Sequence, residues 1–490
     1  MTTASYWIAR HASERGSHPA LISAEGTLSY AELDDAARSL AAKLHGLGIA
    51  TGDRVAVLLE NDPLYVVLIH ALVALGAVLV PLNVRLTPRE LRELLVDAEP
   101  RLLLHGTSLA SVAAESVRDL RGIRTLPAPA LHTLSEKPVA LPVQLRLDAD
   151  QAILFTSGTS GRPKGVRLGL AQHLASAAGS AERLGIEHED RWLACMPLYH
   201  IGGLAIVLRS ALYGISVVLH SDFDARAVLH SLQHDRISAV SLVPTMLARL
   251  LDASGDAQFP ASLRFVLLGG GPIPTDLVLR ARRARVPVAA SYGLTEAASQ
   301  VATLAPAEDE AHVGSVGQAL PGVELRIVDE NGRDQPAEVA GEICVRAAQV
   351  MSGYLNLPEQ TARTLEAGWL HTGDIGTLST EGYLTLLDRR SDLIVSGGEN
   401  VSPAEVEAVL LCHPDVAAAA VVGRSDPSWG QVVHAFVVPR AARVASAEEL
   451  IAHCRSRLAG FKLPRVIELV TSLPQTKPGR LRRETWKAKS

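Results

Sequence analysis

One run of ten residues combines hydroxyls, glycines and a cation: Thr156-Ser157-Gly158-Thr159-Ser160-Gly161-Arg162-Pro163-Lys164-Gly165. It follows an apolar stretch, 152–156, that reads as a buried strand. Glycines let a backbone approach a polyphosphate closely, and their N–H groups can point at its oxygens. The hydroxyls of Thr156, Ser157, Thr159 and Ser160 add donors, and Lys164 adds positive charge. A Ser/Gly surface loop would use similar residues. Ten of them in a row after a buried strand favour phosphate binding. The run is not the ordinary nucleotide loop G-x-x-x-x-G-K-[ST], because Lys164 is followed by Gly165, so kinase or GTPase chemistry is not expected. No serine sits in G-x-S-x-G, which disfavours a hydrolase nucleophile.

Other groups have types that suit the same ligand. Tyr292-Gly293-Leu294-Thr295-Glu296 follows an apolar run at 288–291. It therefore stands at the carboxyl end of a strand, where open α/β sheets bind ligands. Glu296 offers a hard oxygen for a cation that bridges phosphates; alone it reads equally as an exposed loop acid. Asp374 follows Thr372-Gly373. A carboxylate there could accept from both hydroxyls of a ribose, or could simply form a turn. Gly269-Gly270-Gly271, after a strand at 265–268, would let a flat ring lie against backbone or make a tight turn. His200 lies in Leu198-Tyr199-His200-Ile201-Gly202-Gly203-Leu204, and a lone histidine is as often structural as functional.

The elements that must position these groups follow from the pattern. Apolar runs at 54–59, 77–80, 101–104, 152–156, 216–219, 239–242, 265–268 and 288–291 read as strands separated by helices, which implies parallel sheets covered on both faces. The longest apolar stretch, 65–82, contains His70, Gly76 and Pro81. It reads as a buried helix (63–74) and a buried strand (77–81) rather than a membrane span. After about residue 312 the texture becomes antiparallel or barrel-like, with strands at 323–328, 341–346 and 383–387. From Asp388-Arg389-Arg390-Ser391-Asp392 onward, a helix (403–411), strands (417–422, 432–438), a helix (447–459) and a basic tail suggest a small α+β domain. The fold class is therefore α/β: a large N-terminal domain of doubly wound sheets with a β-barrel-like portion, and a small separate α+β C-terminal domain. The division expected is 1–388 and 393–490, joined at 389–392, which the resemblance described below implies to be a hinge beside a mobile C-terminal domain.

The chain has 490 residues and a formal net charge of −5, which argues against a general nucleic-acid binder. Four cysteines, Cys195, Cys344, Cys412 and Cys454, form no C-x-x-C pair. Neither a zinc site nor a disulfide framework is expected, and a reducing compartment fits. Residues 1–10 lack a basic segment followed by an apolar run, so no secretory leader is expected. A cytoplasmic enzyme without membrane insertion follows; oligomeric state is not legible, and a homodimer is compatible with the sequence.

Taken in order and spacing, the motifs at 156–165, 292–296, 372–374, 388–392, 396–400 and 474–483 resemble the acyl-adenylate-forming superfamily over essentially the whole chain. The resemblance implies an acid–thiol ligase that uses ATP, Mg²⁺ and coenzyme A. A small-molecule carboxylic acid attacks the α-phosphate, and a thiol then displaces AMP. It implies that residues 156–161 and Lys164 hold phosphates, and that Gly269, Gly270, Gly271, Tyr292 and Gly293 meet adenine. Thr295 would contact the α-phosphate and Glu296 would hold Mg²⁺, while Asp374 and Arg389 would lie by the ribose. His200 would serve as a gate or a substrate contact. Ser391 would be the pivot that brings Ser396, Gly397 and Gly398 to the acyl group, leaving room for the pantetheine arm. The tail departs from the superfamily: Arg480 stands where a catalytic lysine is expected, so Arg480 itself, or nearby Lys477, would supply the charge, and Arg for Lys is not a conservative exchange. An adenylation-deficient ligand binder is the reading from another class. Arg455, Arg457, Lys462 and Arg465 form a basic cluster that could meet the nucleotide of coenzyme A. Within the superfamily, the stretches 190–193, 198–204, 267–272, 291–300 and 388–400 resemble the o-succinylbenzoate–CoA ligases of menaquinone biosynthesis. That implies an acyl site at His200, Ile201, Gly202, Ser291, Ser299 and Gln300. Another aryl- or medium-chain acyl-CoA ligase is the alternative.

Overall fold

The computed structural model describes residues 3–139, 141, 144–156, 162–255, 257–308, 312–389, 393–440 and 445–473, and the backbone alone of 475–477 and 480–481; for 388 and 389, too, it describes only the backbone. The chain divides into two compact units: one of 1–84, 95–154 and 165–388, the other of 85–94, 155–164 and 389–490. The sequence alone suggests a single cut near 388–392. The structure adds two earlier segments to the second unit.

In the first unit, a nine-stranded sheet carries most of the candidate residues. Its central strands Ser216–Leu219, Arg191–Ala194, Ala239–Leu242, Phe265–Leu268 and Val288–Leu294 run parallel in that order. Strand Arg191–Ala194 thus has the next strand in sequence on one side and the one after it on the other. Such a reversal of winding opens a crevice beyond the carboxyl ends of the strands. Alternation assigns the two faces. Trp192, Ala194, Phe265 and Leu267 pack into one core, whereas Leu193, Cys195, Val266 and Leu268 pack into another with the helices Ala225–His234 and Pro244–Ser254. Successive side chains of a strand leave opposite faces, so a doubly covered strand must be apolar throughout.

A seven-stranded sheet holds Arg54–Leu58, Val78–Pro81, Leu102–His105, Arg124–Pro127 and Asp150–Thr156 in parallel. The apolar stretch at 65–82 resolves into helix Pro63–Leu75 and strand Val78–Pro81. Asp62 accepts the Leu64 N–H at 2.7 Å, Pro63 occupies the first turn, and Gly76 ends the helix at φ 72°. These are the start and stop signals that physical chemistry favours. Every residue from Tyr65 to Leu75 is buried. Among the described residues, no helix is long and apolar enough to cross a membrane.

Strands Val323–Val328, Gly341–Ala347, Trp369–Leu378, Leu365–Glu366 and Leu384–Arg389 form a five-stranded sheet, with antiparallel pairing along Val323–Val328, Gly341–Ala347, Trp369–Leu378 and Leu365–Glu366. In the second unit, Val416–Asp426 and Gly430–Pro439 pair antiparallel over ten positions. They pack with helices Pro403–Leu411 and Ala447–Arg455. The last helix ends at Arg455, four residues before the expected 459. Leu458, Ala459 and Phe461 instead turn into the core around a short 3₁₀ segment, Gly460–Lys462.

Candidate functional site

Several sequence-predicted residues lie outside the described residues: Ser157, Gly158, Thr159, Ser160, Gly161 and Ser391. So do the side chains of Arg389, Lys477 and Arg480. Thr156 ends one strand and Lys164 begins the next, Lys164–Gly169.

The carboxyl ends of the parallel strands of the nine-stranded sheet carry His200, Gly269, Gly270, Gly271, Tyr292, Gly293, Thr295 and Glu296. After Arg191–Ala194 comes the loop that ends in His200, the N-cap of helix Ile201–Tyr213. Asn61 ties this loop down: its amide donates to Met196 O at 3.0 Å and its carbonyl accepts from Leu198 N–H at 2.9 Å. The His200 carbonyl accepts from Gly203 and Leu204, while its half-buried ring meets Tyr199 edge-on at 4.7 Å. After Phe265–Leu268 come Gly269, Gly270 and Gly271, with Gly270 at φ 77°. Val288–Leu294 then delivers Tyr292 and Gly293, followed by the 3₁₀ turn Thr295–Ala297. The chain returns antiparallel as Ser299–Thr303, with a bulge at Tyr292/Gly293. A side chain at Gly293 would put its Cβ 2.0 Å from Ser299 O, so only glycine fits there.

Tyr292 and Asp374 meet although 82 residues apart: the Tyr292 hydroxyl donates to Asp374 Oδ2 at 2.7 Å, and both are buried. Asp374 sits where strand Trp369–Leu378 bulges, between its pairings with Cys344 and Glu342. The bulge is held from three sides. Thr372 Oγ1 donates to Ile343 O, Asp374 N–H donates to Thr372 Oγ1, and Glu342 Oε1 accepts from Gly373 N–H at 2.9 Å. Glu296 accepts from the Tyr354 hydroxyl at 3.0 Å. Burial, with Glu296 beside it, pushes the Tyr354 phenol up, so it stays a donor. A magnesium ion between phosphates takes one or two carboxylates and keeps several waters. The half-buried Glu296 carboxylate, held by Tyr354, fits that demand.

The acyl-site expectation is partly redirected. Ser291 spends its hydroxyl on Ala302 O and Thr303 Oγ1, both at 3.0 Å. Gln300 is buried, and its carbonyl accepts from Ser180 Oγ at 2.8 Å and from Arg209, while its amide donates to Thr303 at 2.9 Å. Gln300 thus holds a guanidinium. Arg209, 3% exposed, also donates to Ser176 Oγ at 2.8 Å, and Ser176 in turn donates to Ala298 O. Among the described residues, no carboxylate pairs with Arg209. Burial lowers its pKa, with Tyr213 opposing. His173, on the Ser176 helix, is pushed down to about 4 by burial first and Arg209 second, so it is neutral near pH 7. Sequence reasoning missed Arg209. Its one signal was a lone cation inside the apolar helix Ile201–Tyr213.

In the second unit, Gly397 (φ 60°) and Gly398 (φ 85°) join strands Ile394–Ser396 and Glu399–Val401. A Cβ on Gly397 would lie 2.7 Å from the Trp429 ring. Ser396, Trp429, Phe461, Arg85 and Arg465 line a cavity of about 180 Å³. Arg465 stacks over Trp429 at 5.3 Å and Arg85 over Phe461 at 5.0 Å. Lys462, expected in a basic cluster, is instead buried between Glu90 and Glu405, 2.7 Å from each. The attraction of those carboxylates outweighs burial and raises its pKa.

A model of the AMP-binding enzyme family matches residues 8–355, and one of the AMP-binding enzyme C-terminal domain matches 405–480. The chain is 42% identical over 489 residues to the 2-succinylbenzoate–CoA ligase of Geobacillus kaustophilus, covering 99% of this chain and 98% of the relative. A double mutant of o-succinylbenzoate CoA synthetase from Bacillus subtilis, bound to a product analogue, superposes with a TM-score of 0.95 at 38% identity, covering 100% of this chain and 99% of that one. The same synthetase with ATP and a magnesium ion gives 0.77 at 38% identity, covering 99% of each chain.

Proposed function

The chain belongs to the AMP-binding enzyme family, and we propose that it is the ATP-dependent ligase joining 2-succinylbenzoate (o-succinylbenzoate) to coenzyme A. Arg209 carries the choice of acid. A buried guanidinium with only hydroxyl and amide oxygens around it is costly unless an anion completes it. A 2-succinylbenzoate has two carboxylates: one is activated, and the other is an anion of the right charge for Arg209. A fatty acid has none to offer.

The chemistry has two halves. The acid's carboxylate attacks the α-phosphate and pyrophosphate leaves; the thiol of coenzyme A then attacks the acyl carbon and AMP leaves. Magnesium, when bound, neutralises phosphate charge, and Glu296 would hold it. Thr295, at the same turn, would donate to the α-phosphate, and Asp374 would accept from ribose hydroxyls. Fixed donors aimed at developing charge need no reorganisation during reaction. The cavity with Arg85 and Arg465 suits the phosphates of coenzyme A, and the Gly397–Gly398 turn suits its pantetheine arm. Two units moving about Ser391 would serve the two halves in turn.

The test is pyrophosphate release across a panel of 2-succinylbenzoate, benzoates and fatty acids, in wild type and Arg209→Met. Loss of one charge-assisted pairing costs about 1.5–3 kcal/mol, or roughly ten- to a hundredfold in kcat/KM. That loss should fall on 2-succinylbenzoate alone. Equal loss for every acid, or wild-type preference for a monocarboxylate, would refute the assignment.

A further inference from the structure

Away from the groups that meet nucleotide and acid, Glu342, Cys344 and His371 bring a carboxylate oxygen, a thiol sulfur and a ring nitrogen within 4.8 Å of one another. It is the one such group among the described residues. Glu342 and Cys344 are two apart on strand Gly341–Ala347, and Cys344 pairs directly with His371 across to strand Trp369–Leu378. Alternate residues of a strand share a face, and cross-strand partners lie side by side. The absence of a C-x-x-C pair therefore hid a mixed oxygen, sulfur and nitrogen set that only strand pairing assembles.

The distances speak for coordination. Cys344 Sγ lies 3.5 Å from His371 Nδ1, and the same Nδ1 lies 3.3 Å from Glu342 Oε2. Both contacts fall on one nitrogen, so this is no thiol–imidazole–carboxylate relay, which would use the two ring nitrogens separately. One Nδ1 also cannot accept from the thiol while donating to the carboxylate. Bonds of about 2.0–2.3 Å to a tetrahedral ion place neighbouring ligand atoms roughly 3.3–3.7 Å apart, and both measured separations fall within that range. The Glu342 and His371 side chains are 14% and 20% exposed, which gives an ion a route in and leaves a position for water. Cys344 is buried. Thiolate, imidazole and carboxylate together suit a borderline transition cation rather than magnesium or calcium. Thiolate and carboxylate would balance its two charges, with the thiol proton released to solvent. Burial first and Glu342 second push the Cys344 thiol up to about 11, with Arg326 opposing, so the cation itself must displace the thiol proton.

We propose that Glu342, Cys344 and His371 bind a divalent transition cation of the zinc type, in a site distinct from the magnesium carried by Glu296. Glu342 is its link to function. Its Oε2 faces His371 while its Oε1 holds the Gly373 N–H beside Asp374. Fixing Glu342 would stiffen the bulge that presents Asp374.

Cobalt(II) added to the full-length protein reads the site directly, whatever acid the enzyme takes. One equivalent should give tetrahedral visible bands and a near-ultraviolet thiolate-to-cobalt band, both erased by zinc. Cys344→Ser should lose the near-ultraviolet band, while the same change at the exposed Cys412 should keep it. Zinc should raise the Tm of wild type and not of His371→Gln. A wild-type protein that gives no thiolate band and no zinc-dependent Tm shift overturns the proposal, as does a band that depends on Cys412. Neither wild-type measurement requires a variant to fold.

Discussion

Burial decides the charge of His70, and with it part of the protein's response to acid. The ring is 1% exposed, inside the apolar helix Pro63–Leu75, and burial alone pushes it down to about 4. In the unfolded chain a histidine titrates near 6.5. Between these values the unfolded state binds a proton that the folded state refuses, so stability rises with pH across that window. It is complete above about 6.5 and falls as pH drops toward 4, by roughly 3 kcal/mol for this residue. His70→Leu should therefore flatten the fall in urea midpoint between pH 6.5 and 4.5; an unchanged slope would place the acid sensitivity elsewhere. His173 contributes in the same direction, so the flattening should be partial. At this scale the sequence singles out residue types and their spacing but not their partners. Tyr292, Glu296 and Asp374 stood out by motif. Nothing in the order of residues could show that Tyr292 binds Asp374, or that Gln300 spends its amide on Ser180, Arg209 and Thr303.

Strands and turns translate those residues into a site, and the hairpin from Val288 to Thr303 is the clearest case. Its bulge at Gly293 brings Ser299 O so close that a methyl would lie 2.0 Å away. Gly293→Ala must displace either the turn carrying Thr295 and Glu296 or the strand Ser299–Thr303. Overpacking of this kind costs about 1–3 kcal/mol, sometimes more. The expected result is a lowered urea midpoint together with a rise in KM for ATP. Gly460→Ala, where nothing lies within 4 Å of the added atom, should leave both unchanged. Comparable loss in the two variants would sink this account. Strands such as Ser216–Leu219, Ala239–Leu242 and Phe265–Leu268 were legible to the residue, because a doubly covered strand is apolar throughout. The hairpin Pro19–Ser29 was not. Its first strand has only three apolar residues, and its parallel partner, Ser216–Leu219, lies about two hundred residues away.

For the whole molecule, the sequence announced two parts, but not that segments 85–94 and 155–164 belong with the second. Such membership depends on packing between distant segments, which no local pattern encodes. What the tail contributes is the larger functional question. Arg480 stands in place of the lysine that the superfamily resemblance leads one to expect. A guanidinium keeps the charge and offers a fork of donors, so it can still face the charge that develops on the α-phosphate. That charge exists only while the acid attacks ATP. Removing it should therefore damage the first half-reaction and spare the second. Arg480→Ala should slow pyrophosphate release by about a hundredfold, the usual cost of losing one fixed donor or cation at a transition state. Thioester formation from a synthetic acyl-adenylate should proceed at nearly the wild-type rate. Lys477→Ala should leave both steps almost unchanged. If Lys477→Ala instead carries the hundredfold loss, the role passes to Lys477. If wild type itself releases no pyrophosphate yet still makes thioester from the adenylate, the exchange of lysine for arginine has cost this chain its first half-reaction, and it works only on acids activated elsewhere.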